Sequence, residues 1–231
     1  MNFILKVLLP FMTTLALFTG CQSDSSSDPS TIITEGTGVD LDGYTPDALS
    51  DDQKYALAYM WHEEKLAHDL YLALNEVNAT PQLSNIATNS ETTHIQLVEE
   101  LVEWYDLNIT NLGDYTINYS KDELEAMPRG VFTISAIQDL YDALYAQGST
   151  SKQASLEVGC IVEVVDVDDL NEFIEEADDN QALIDTFTIL REGSYSHYWT
   201  FDNGLKKLGI SEGCCSLAPL YCKTVDEYPQ K

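Results

Sequence analysis

Glu91 and His94 stand three residues apart in the segment SETTH and carry the plainest chemical signal in this chain. On a helix, that spacing puts a carboxylate and an imidazole on one face, a turn apart. One turn then offers an oxygen donor able to bridge two cations and a nitrogen donor to one of them. Three more segments carry the same residue types on apolar stripes: Glu64 in EEKLAHDLY, Glu163 and Asp166 in EVVD, and His197 in SYSHYW. Four segments that each contribute a carboxylate or histidine suggest one shared buried site, whose usual occupant is a pair of metal ions. Ionised carboxylates in a dry core are costly unless paired or metal-bound, and two divalent cations would supply the missing charge.

The elements that must position these groups read as helices. Ser50 and Gln53 form a capping box, with acids in the first turn, and the helix runs to about residue 78. Leu57, Met60, Ala67, Leu70, Tyr71 and Leu74 make its stripe, and Glu64 falls on it. Glu63 points to one side and is the alternative donor. His62 and His68 read as surface residues, and Lys65 with Asp69 as a local ion pair worth about 0.3 kcal/mol. Tyr71 reads as a core tyrosine first and a redox residue second.

Pro81 starts a second helix, continuous to about Tyr105, with Leu83, Ile86, Ala87, Leu97, Val98, Leu101 and Trp104 inward. Residues 107 to 131 form a long crossover with Gly113, Pro128 and Gly130, followed by a short helix over about 133–146. A further helix opens near Ser149 and runs to about Ala177, with Cys160, Val162, Glu163, Val167 and Leu170 on one side. The last runs from about Asn180 to Leu205, with Leu183, Phe187, Leu190, Ser194, His197 and Phe201 inward. No alternation of apolar and polar residues argues for a sheet, so the expected class is all-α.

The chain has 231 residues, 39 Asp+Glu against 11 Lys+Arg, and a formal charge of −28. That balance argues against nucleic acid and anionic membrane surfaces as partners and fits cations as ligands. Residues 1–20 read as a targeting segment: Lys6 near the start, then an apolar run too short to span a bilayer. The small residues ahead of Cys21 resemble a bacterial lipoprotein signal. The resemblance implies cleavage before Cys21, a lipid on Cys21 as the one membrane attachment, and a cell-envelope location. Residues 21–48, rich in Ser, Asp, Thr and Gly, read as a flexible tether, 49–210 as the helical domain, and 211–231 as a Cys-containing tail. Cys160, Cys214, Cys215 and Cys222 are disulfide candidates in an exported chain. Adjacent cysteines rarely bond each other, so Cys214 and Cys215 each reach elsewhere, and the pairing stays open.

The blocks EEKLAHDLY, LSNIATNSETTH, GCIVEVVDVDDL and REGSYSHYWTF, in that order, resemble the ferritin-like family called domain of unknown function 2202, over about residues 50–210. The resemblance implies a ferritin-like four-helix bundle, with a long crossover and an extra short helix, around a di-iron or di-manganese centre. Carried over by position, Glu64 becomes a terminal ligand, Glu91 a bridge, His94 a terminal imidazole, Glu163 a second bridge and His197 the imidazole of the last helix. The ferritin pattern also places a Tyr seven residues after the first-helix Glu, as Tyr71 follows Glu64. One departure stands out. Where that pattern has a Glu three residues before the last His, this chain has Ser194, preceded by Gly193. Asp166, one turn after Glu163, is the available substitute; otherwise the second site is weak and one ion is held. Glu192 faces away from His197 by helical phase.

Two functions remain open at this point. One is an envelope redox protein that oxidises ferrous iron with oxygen or peroxide, or removes peroxide. The other is a non-catalytic module that holds metal or a partner, including a second copy of the chain.

Overall fold

The computed structural model describes residues 41–45, 48–110, 112–113 and 119–230, and every regular element among them is helical. The signal-type segment, Cys21 and most of the proposed tether lie outside the described residues. The described end of that tether is docked: Leu41–Gly43 form a 3-10 turn, and Tyr44 packs on the core and donates to Asp185 Oδ2 at 2.5 Å.

Helix α1, Asp51–Val77, begins where the capping box predicts. Gln53 N–H donates to Ser50 Oγ at 3.1 Å, and Ser50 N–H to Gln53 Oε1 at 3.0 Å. The second predicted helix is three pieces rather than one. Thr80 and Pro81 start α2, Pro81–Asn85; a π-helical turn follows over Ile86–Glu91; then α3 runs Thr92–Trp104. A π turn takes an extra residue, so it shifts every following side chain around the axis. The crossover carries a short α4, Lys121–Glu125, and then α5, Ser135–Gly148. Ser151, rather than Ser149, caps α6, Lys152–Glu176, and Asn180 caps α7, Gln181–Lys207.

The long helices form a closed circuit of neighbours. Helix α1 packs on α3 and on α6, α6 packs along α7, and α7 touches α3. Each predicted apolar stripe faces inward, with Leu57, Leu70, Val98, Val167, Leu190 and Phe201 buried. Helix α5 lies outside this circuit against α1 and α6. At Gly159 of α6, a Cβ would stand 2.5 Å from the Phe201 ring of α7, so the glycine lets the ring pack against the helix.

Disulfides Cys160–Cys214 and Cys215–Cys222 fold the tail back on α6 and α7. The adjacent cysteines each find a separate partner. Among the described residues, no helix is long and apolar enough to cross a membrane.

Candidate metal centre

The π turn and the start of α3 set three polar groups toward the middle of the helices: Ser90, Glu91 and His94. Glu91 is 1% exposed, and its two oxygens serve different partners. Oε2 lies 3.3 Å from His94 Nδ1, and Oε1 lies 3.2 Å from His197 Nδ1. Glu64, on α1, brings Oε2 to 3.1 Å from His94 Nδ1. Glu163, on α6, brings Oε2 to 3.2 Å from His197 Nδ1. The two imidazoles lie side by side, ring centres 5.3 Å apart. Each therefore has one carboxylate of its own and shares Glu91 with the other. The donor atoms of Glu91, His94 and His197 all lie within 4.8 Å of one another.

Several partners hold this arrangement from outside. Tyr71 donates to Glu163 Oε1 at 2.6 Å, which occupies one oxygen and leaves the other facing His197. Glu163 thus turns one oxygen to Tyr71 and the other to His197. Ser90 Oγ stands 2.6 Å from His197 Nε2, fixing the ring so that Nδ1 points at the carboxylates. Ser194 donates to Asp166 Oδ2 across the α6–α7 interface.

The electrostatics match a site built for positive charge. Glu63, Glu64, Glu91, Glu163 and Asp166 are all buried, with His94 and His197 the cations within reach of this group. Burial pushes the Glu64 carboxyl up to about 7, against the pull of His94. Burial, then the charges of Glu64 and Glu163, lift Asp166 well above the carboxylate range. Burial also works to raise Glu91, but His197 and His94 outweigh it and hold Glu91 far below that range. His197 resists its own burial and rises to about 10 beside Glu91 and Glu163. Glu64 Oε1, Glu91 Oε1 and Asp166 Oδ1 are buried without a hydrogen-bond donor. Glu91 Oε1 is close to His197, yet the geometry is that of a contact and not of a hydrogen bond. Buried carboxylate oxygens without donors are what cation ligation would satisfy.

A family model described as an uncharacterised protein domain, DUF2202, matches residues 53–219. The chain belongs to this family. An uncharacterised protein of Methanocaldococcus jannaschii, MJ0754, is 33% identical over 161 residues, covering 70% of this chain and 79% of the relative. The crystal structure of the hypothetical protein MJ0754 from the same organism superposes with a TM-score of 0.62 at 29% identity. It covers 72% of this chain and 87% of the other.

Within this DUF2202 domain, all six carboxylate and histidine candidates from sequence are buried on facing helices: Glu64, Glu91, His94, Glu163, Asp166 and His197. Asp166 is bonded to Ser194 and feels the charges of Glu64, Glu163 and Glu91. Two surface expectations are corrected. His62 is fully buried, with Nε2 2.7 Å from the Ile109 carbonyl and its ring edge-on to Trp61. Lys65 and Asp69 are a buried pair rather than a solvated one. Lys65 also reaches the Pro128 carbonyl and Asp69 accepts from Gly130 N–H, so together they pin the crossover to α1. Glu63 is buried too, at 6% exposure. Ser90 was missed from sequence. Its position four residues before His94 was visible, but its contact runs across to α7, which sequence spacing does not reveal.

Proposed function

We propose that the domain is a ferritin-like four-helix bundle holding two divalent ions, iron or manganese, between Glu64, Glu91, His94, Glu163 and His197. The observation that carries this reading is the split use of Glu91, one oxygen to each imidazole. A buried carboxylate that turns one oxygen to each of two imidazoles is placed to bridge two cations. Glu64 with His94 would complete one ion's protein ligands, and Glu163 with His197 the other's. Asp166, bonded to Ser194, remains an outer acceptor close to the site.

Bound iron or manganese would supply one-electron redox chemistry, ferrous ions giving electrons to dioxygen or peroxide, which takes up protons and ends as peroxide or water. The chain's own residues do the rest. Burial excludes bulk water, Tyr71 orients Glu163, and Ser90 orients His197. The lipid on Cys21 and the envelope location belong to the same proposal and rest on the sequence before residue 41.

The test is elemental analysis of the purified protein beside Glu91→Ala and His94→Ala. The wild type should carry close to two ions per chain, and both variants should lose them while keeping their helical circular dichroism. Equal metal content in all three would sink the reading. The second reading, a metal-holding module without turnover, is favoured by Ser194, which replaces a ligand with a hydroxyl already committed to Asp166. A loaded protein that oxidises neither ferrous iron nor consumes peroxide would support it.

A further inference from the structure

A narrow apolar pocket enters the protein between α1, α5 and α6. Its lining is Tyr59, Glu63, Leu66, Ile137, Leu140, Leu144, Ile161, Val162 and Val165. Leu140 and Val165 are half-buried and stand at the mouth, whereas Tyr59, Glu63 and Leu66 are buried. The inner wall is made of chain neighbours of the candidate ligands: Glu63 precedes Glu64, Val162 precedes Glu163, and Val165 precedes Asp166. Glu63 is the one charged residue of the lining, and its Oε2 is buried without a hydrogen-bond partner. The charges of Asp169, Asp166, Glu64 and Glu163 add to the effect of its burial, which places it beside the site carboxylates.

We infer that this pocket is the entry route of dioxygen to the metal centre, and that dioxygen rather than peroxide is the oxidant it serves. The inference rests on the metal-centre reading. Three observations select the occupant. The pocket is narrow, with space for about one or two small atoms, so extended organic molecules do not fit. Its walls are almost wholly apolar. Beyond the one acceptor at Glu63, water or hydrogen peroxide would give up its hydrogen bonds to enter, whereas a neutral diatomic has none to lose. The chain carries a formal charge of −28, which repels anionic oxidants such as superoxide and leaves a neutral gas unaffected. Helix α5, outside the circuit of long helices, then has a role: Ile137, Leu140 and Leu144 form the outer wall of the route.

Two measurements on the full-length protein test this. Crystals pressurised with xenon should show a xenon atom among Leu66, Leu140, Leu144 and Ile161. Leu140→Trp, which plugs the mouth on a helix that supplies no ligand, should abolish it. Leu140→Phe serves if the larger ring disturbs folding. In the metal-loaded protein, either variant should raise the apparent KM for dioxygen about fivefold in ferrous oxidation, with metal content and the peroxide-driven rate unchanged. Xenon binding elsewhere only, or an oxygen dependence identical in wild type and variants, would overturn the route. If the protein holds no metal, the kinetic arm falls with the metal-centre reading. The xenon arm still decides whether the pocket admits an apolar gas.

Discussion

Gly193 on α7 faces the His94 ring so closely that a Cβ there would stand 2.4 Å from His94 Nε2. The glycine beside Ser194 therefore does steric work: it leaves room for an imidazole supplied by another helix. In an exposed helix, Gly→Ala would gain about 1 kcal/mol from propensity. Here the overlap reverses the sign. Gly193→Ala should cost about 1–3 kcal/mol through overpacking and push His94 away from Glu64 and Glu91. Denaturant titration and metal analysis check this, and a variant as stable and as metal-rich as the wild type would show that the ring has space to yield.

The hydroxyl of Ser90 fixes which nitrogen of His197 looks inward. A ring anchored at Nε2 offers Nδ1 to a cation, and loss of such an outer anchor typically costs 10–100-fold in metal affinity. Ser90→Ala should lower the affinity by about that factor while leaving thermal stability of the metal-free protein nearly unchanged. Competition against a calibrated chelator measures it. Ser90→Thr should restore the affinity if the hydroxyl, rather than local packing, is responsible.

Much of this arrangement was legible in the chain, and the reason is periodicity. Glu64 sits among Met60, Ala67 and Tyr71 at helical spacing, and burial of the apolar members carries the carboxylate inward with them. The capping box at Ser50 fixed the start of α1 for the same local reason. What stayed hidden depends on contacts between distant segments. The π turn over Ile86–Glu91 has no distinctive local composition, so the second helix read as continuous. His62 lies one position from Glu63 and looked solvent-facing until the crossover, with Ile109, covered it. Lys65 and Asp69 looked like an exposed i,i+4 pair because the sequence does not say that Pro128 and Gly130 settle on top of them.

The tail stabilises the site from behind. Cys160 precedes Glu163 by one turn of α6, and its bond to Cys214 spans 54 residues. The residues after His197 are also held by the tail: Tyr198 donates to the Tyr221 carbonyl at 2.7 Å, and Trp199 Nε1 to the Tyr228 carbonyl at 2.8 Å. Replacing Cys160 and Cys214 together by Ala should cost about 2–5 kcal/mol in unfolding free energy. It should also weaken metal retention, although neither cysteine touches the candidate ligands. A double variant with reduced stability but unchanged metal affinity would confine the tail to a purely structural part.

The pH dependence of stability separates protons from metal at this site. In the metal-free protein His197 rises from 6.5 to about 10, because Glu91 and Glu163 outweigh its burial. A raised folded-state value means that its contribution is complete below pH 6.5 and is lost as the pH climbs through 10. Glu64, raised from 4.5 to about 7, has the same sign and loses its contribution between those values. Glu91 is depressed, so its contribution is present above 4.5 and disappears only in acid. Above neutrality His94, also raised by its carboxylates, adds to the His197 effect with the same sign, and the melting temperature of chelator-treated protein should fall steadily toward alkaline pH. A cation replaces the proton at Nδ1, so loaded protein should resist this fall, and metal addition should release protons. Calorimetry in the two states, with proton release measured in buffers of different ionisation heat, provides the comparison. Parallel melting curves and no proton release would mean that the imidazoles keep their protons and that Glu91 bridges nothing.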